Sequence, residues 1–234
     1  MENLVNEADI NIKQSKVAGI CGAVTSANVI GYNLVNRGAV NANTSSYTAG
    51  IVAHATGVSL TKCANYGAVT TTGSDGAGIL GYTSGATLLD SCVNYGEIQA
   101  KTEGAGIAAY ASQAIEITAA MNVGKVTVTN QKAAGILAYG NKPEISGCAN
   151  FGDINNTNAS LSSTAAGAAG IVAYADPVIS DCCNFGNVSA KDNAGSILGY
   201  SKTTYTAASV KNFYNVGEVK ATADGAKAVN MFVG

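Results

Sequence analysis

The 234-residue chain carries 13 Lys and Arg against 15 Asp and Glu, a net charge of -2 with 12% charged residues, about half the share of an ordinary domain. No segment is dense enough in Lys and Arg to neutralise a phosphate backbone, which argues against nucleic acid and anionic membrane surfaces as partners. No run approaches the roughly 18–20 apolar residues of a membrane span, so no membrane insertion is expected.

The first recurring unit is met at Leu4-Val5-Asn6-Glu7-Ala8-Asp9-Ile10, and its fullest form is Ala77 to Ile98. There Ala-Gly-Ile-Leu-Gly-Tyr is followed by Cys92-Val93-Asn94-Tyr95-Gly96-Glu97-Ile98. The Asn of successive copies falls at Asn6, Asn36, Asn65, Asn94, Asn122, Asn150, Asn184 and Asn215, in steps of 30, 29, 29, 28, 28, 34 and 31 residues. A fixed period of this length is the signature of a solenoid, whose size is coil number times rise. Each coil holds three short apolar runs, as in Gly78–Tyr82, Thr87–Leu89 and Cys92–Asn94 with Glu97–Ile98. They are too short for stable helices and are punctuated by Gly, Ser, Thr and Asn. The reading is an all-β, parallel β-solenoid, a right-handed β-helix by the crossover rule. It has about seven coils of 28–34 residues with three short strands each, forming a rod of roughly 35–40 Å at ~4.8 Å per coil.

Two segments break the rhythm, Asn155–Gly167 and Ser201–Ala208, and read as loops projecting from one face. The last copy, Gly225-Ala226-Lys227-Ala228-Val229, has lost the Ala-Gly-Ile core, and Met1-Glu2-Asn3 enters a copy with no signal-peptide pattern. Residues 1–234 therefore read as one β-solenoid domain cut from a longer array, with unpaired end strands that favour end-to-end self-association.

In-register stacking turns each repeat position into a column. The Asn column fits amides that donate to one neighbour and accept from the other. The Gly column two residues later (Gly38, Gly67, Gly96, Gly124, Gly152, Gly186 and Gly217) fits a turn of positive φ. Cys63, Cys92, Cys148 and Cys182 share a column with Leu and Ala and read as buried free thiols, as do Cys21 and Cys183 in theirs; no metal site follows from a linear thiol stack. Glu97, Lys125 and Asp153 form an outward ladder of alternating sign, the one close acidic–basic set in this reading. With a single Arg37 and no clustered carboxylates, neither catalytic residues nor a cofactor are expected. The binding candidates are Tyr82, Tyr110, Tyr139, Tyr174 and Tyr200, a column that His54 shares. Strict alternation from an inward Ile79 puts Val52, Leu80, Leu137, Val172 and Leu198 outside with these rings, as one apolar-aromatic stripe.

The Ala-Gly-Ile-Leu-Gly-Tyr and Cys-Val-Asn-Tyr-Gly-Glu-Ile pairing resembles the GLUG-type repeat of bacterial surface and adhesin-like proteins, over roughly Val17 to Val219. Ala49, Ala77 and Ala105 stand where that repeat usually has its first Gly, and no His-Glu-x-x-His is present for the metalloprotease activity of some relatives. The resemblance implies a non-catalytic structural or adhesive segment, secreted or on the cell surface, that meets host or matrix glycan or protein. The rival is a carbohydrate-active β-helix enzyme, a polysaccharide lyase or hydrolase, which needs an acidic cluster in a groove. An ice-binding array is disfavoured because the column after Val/Ile mixes Asn11, Thr70, Gln99 and Lys220, and a leucine-rich repeat because Glu144–Cys148 lacks its Leu frame.

Overall fold

The computed structural model describes residues 1–43, 46–158, 167–201, 209–223 and 228–229. Most of both rhythm-breaking insertions (159–166 and 202–208), and of the last copy, lies outside these residues. Among the described residues every helical or strand element is β, and the strands pair in parallel with their counterparts one repeat away. The result is the expected all-β solenoid of about seven coils.

Hydrogen bonding divides the coil more finely than the apolar runs do. The coil that begins at Asp75 holds Asp75–Ala77, Leu80–Thr83, Thr87–Asp90, Val93–Asn94 and Ile98–Ala100. These positions stack into sheets of 13, 8, 8 and 7 strands, the largest joining two ladders where Val178–Asn184 runs through without a break. The apolar interior is in two main columns. Ile79, Leu80, Leu89 and Cys92 belong to one, and Val69, Ile98, Ala100 and Ala133 to the other. Each fully buried Ile or Leu contributes roughly 1.5–3 kcal/mol, and identical neighbours repeat that gain coil after coil.

Two corners depart from the expectation. The Gly column has no positive φ among its members; the left-handed column lies three residues before each Asn. It comprises Asn3, Asn33, Lys62, Ser91, Ala119, Gly147, Asp181 and Asn212, with φ between 49° and 63°. Glycine is needed in its own column for proximity: a Cβ on Gly96 would sit 2.0 Å from the Gly67 carbonyl oxygen of the preceding coil. The backbones of successive turns touch there, and any side chain would pry the coils apart.

The second departure concerns which way the Tyr strand faces. Register runs Leu80↔Ala108, Tyr82↔Tyr110 and Thr83↔Ala111, leaving Gly81 outside the pairing. Ala108 and Ala111 are three residues apart yet both enter the main core, which a regular strand of period two forbids. The interruption turns Tyr82 away from the face shared by Leu80. Val52, Leu80, Leu137, Val172 and Leu198 are consequently buried, and the expected outer stripe of these residues with the tyrosines is corrected.

Candidate functional site

The Asn column is continuous. Nδ2 of Asn36, Asn65, Asn94, Asn122 and Asn150 each donates to Oδ1 of the next Asn at 2.7–2.8 Å and to the carbonyl two residues on at 2.8–2.9 Å. Asn6 opens the chain of bonds and Asn215 closes it. The Gly of Ala-Gly-Ile seals it from inside: a Cβ on Gly78 would lie 2.3 Å from Asn94 Oδ1. This column holds the corner together and has no polar capacity to spare for a ligand.

The Tyr column is half-buried. Its rings stack from His54 through Tyr82, Tyr110, Tyr139 and Tyr174 to Tyr200, with centroids 4.3–5.5 Å apart. Burial, with Lys16 nearby, pushes the His54 pKa down, and its Nδ1 is buried without a hydrogen bond. Burial first, and then neighbouring Tyr139, pushes the Tyr110 hydroxyl above its ordinary value.

Against these rings lies a column invisible in the repeat: Lys16, Tyr47, Asp75, Glu103, Lys132, Gly167 and Asn193 at equivalent positions. Asp75, Glu103 and Lys132 are only 3%, 5% and 4% exposed. Lys132 Nζ donates to Glu103 Oε1 at 2.8 Å and to Gln131 Oε1 at 2.9 Å, and lies 5.4 Å from the ring centres of Tyr139 and Tyr174. Burial, then the hydrogen-bonded Glu103 carboxyl beside it, raises the Asp75 pKa to about 8. The expectation that Glu97, Lys125 and Asp153 are the one close acidic–basic set is corrected: those three are exposed, and the ion pairs among the described residues are the exposed Arg37–Glu7 at 3.1 Å and the internal Lys132–Glu103 at 2.8 Å. The carboxyl pair faces its own partners and is closed to a substrate.

The exposed aromatic column is elsewhere, at the residue between Asn and Gly. Tyr66, Tyr95, Phe151 and Phe185 are 50%, 43%, 46% and 39% exposed. Tyr66 stacks on Tyr95, and Phe151 on Phe185, each at 4.8 Å with planes 7° apart. Half-buried Ala64, Val93, Met121, Ala149 and Cys183 run alongside, giving an apolar strip two residues wide. Cys183, like Cys21, is thus only half-buried, whereas Cys63, Cys92, Cys148 and Cys182 are buried free thiols. The rings were legible in principle: with Asn facing in, period two sends its neighbour out. The Asn-Tyr-Gly and Asn-Phe-Gly triplets carry that signal. A hollow of about 340 Å³ lined by Thr70, Thr72, Gln99, Lys101, Thr127 and Thr129 contains no carboxylate.

No family model, curated protein or solved structure matches this chain.

Proposed function

We propose that this chain is a non-catalytic display rod, an adhesive segment of a secreted or cell-surface bacterial protein that meets host or matrix glycan or protein through a solenoid face. The observation that carries the reading is the straight line of exposed rings at Tyr66, Tyr95, Phe151 and Phe185 beside a half-buried apolar column. Soluble proteins seldom leave such a contiguous strip open without a partner for it. The resemblance to GLUG-type surface repeats points the same way, and the sparse, balanced charge suits contact through shape and apolar area. The half-buried stack from Tyr82 to Tyr200 is the second face in this reading, offering ring edges and not ring faces.

Changing Tyr66, Tyr95, Phe151 and Phe185 together to Ser, with Tyr110, Tyr139 and Tyr174 to Ser as a separate variant, tests both faces against glycan and matrix-protein arrays. At least tenfold weaker binding in the first variant is expected. Unaltered binding in both variants would overturn the reading.

A further inference from the structure

Resting on the reading that the exposed rings are the contact face, we propose that the position over Val123 is a subsite for one pyranose ring of a neutral glycan. The exposed column runs Tyr66, Tyr95, Val123, Phe151, Phe185, so a single aliphatic residue interrupts four rings. Register places Val123 directly between Tyr95 and Phe151, because Val93 pairs with Met121 and Met121 with Ala149. The turns are stacked just as tightly there as elsewhere, Val123 N–H donating to Asn94 O at 2.8 Å and Phe151 N–H to Asn122 O at 2.7 Å. Two strand spacings therefore separate the rings of Tyr95 and Phe151, about 9.6 Å. Each of these rings has its other face covered by its stacking partner, Tyr66 or Phe185. The two uncovered faces look at each other across the short Val123 side chain.

Thickness selects the occupant. A flat aromatic ring in van der Waals contact with both faces spans only ~7–8 Å. A pyranose chair, with axial hydrogens above and below its mean plane, fills the rest. Its polarised C–H groups are attracted to the electron-rich ring faces. Its hydroxyls leave the slot at the rim, where Glu97, Lys125 and Asp153 are exposed on the same three coils. Carboxylate, ammonium and carboxylate in alternation satisfy hydroxyl donors and acceptors but present no single sign to a polyanion or polycation.

The test uses the whole chain on a glycan array, followed by titration with chitohexaose and cellohexaose read by ring and methyl chemical shifts. Val123→Phe completes the ladder and closes the slot, while Tyr32→Ala removes an exposed ring from a different strand, Val29–Tyr32, outside the contact face; circular dichroism and thermal unfolding confirm that both variants fold. Expected are neutral-glycan binding by the native chain, at least tenfold weaker binding by Val123→Phe, and less than threefold loss in Tyr32→Ala. Equal binding by Val123→Phe and the native chain overturns the subsite and leaves the display reading standing. Binding of a purified matrix protein but no glycan overturns the sugar assignment alone. If neither class binds, both readings fall.

Discussion

Two buried polar columns, one along the whole run of Asn residues and one over the three coils of Asp75, Glu103 and Lys132, solve the same problem in opposite ways. The Asn column is homotypic. An amide carries both donor and acceptor, so a copy of itself is its ideal neighbour, and every coil uses the same residue. The column at Asp75, Glu103 and Lys132 is heterotypic. Two buried carboxylates repel in a low dielectric, so Asp75 keeps its proton beside Glu103, and the next coil supplies the opposite charge in Lys132. Repetition therefore exposes the first column and hides the second.

The comparison can be broken most sharply at the charged column. Lys132→Met leaves the Glu103 and Asp75 carboxyls buried without their cation, and loss of about 3–5 kcal/mol is expected in urea unfolding at pH 7. Adding Glu103→Gln to that variant should recover part of the loss, which a purely steric role for Lys132 would not allow. In the amide column, Asn94→Ala strands the Asn65 donor, the Asn122 acceptor and the Gly96 carbonyl. At about 1 kcal/mol or more for each, a loss near 3 kcal/mol is expected. The same change at Asn215, half-buried at the end of the described run of bonds, should cost about 1 kcal/mol.

Acid–base behaviour separates the columns further. The Asp75 carboxyl is raised from 3.8 to about 8 in the folded chain, so the folded state keeps a proton that the unfolded state has released across that interval. Stability should fall as pH rises from the ordinary carboxylate range to about 8, then level off. Asp75→Asn keeps a neutral side chain beside Glu103, Ser74 and Tyr47 and should flatten that slope, whereas Asn94→Ala should leave it unchanged. A slope that persists in Asp75→Asn assigns the proton elsewhere. The smallest effect belongs to the surface: Tyr66→Ala removes one exposed stacking contact and should shift stability by no more than about 1 kcal/mol.

The solenoid, its coil number and the Asn column were legible from Asn6 to Asn215 because self-complementary packing must repeat in sequence. The direction of the Tyr column was not. Strict alternation was the right rule for a regular strand, and the strand stops being regular at Gly81. The Gly column is legible in the sequence but its cause is not, since left-handed φ and backbone proximity both demand the same residue. Only stacked backbones tell them apart, placing the left-handed corner at Lys62, Ser91 and Ala119.

What the sequence determined by itself was every feature in which one coil predicts the next, because a period is a property of the chain alone. What only the tertiary structure decided was every feature that depends on which side chains meet across coils. The buried trio of Asp75, Glu103 and Lys132 is one, and the two ring stacks, Tyr66 on Tyr95 and Phe151 on Phe185, are another. Such contacts are set by register between strands of neighbouring coils, and no single repeat contains both partners.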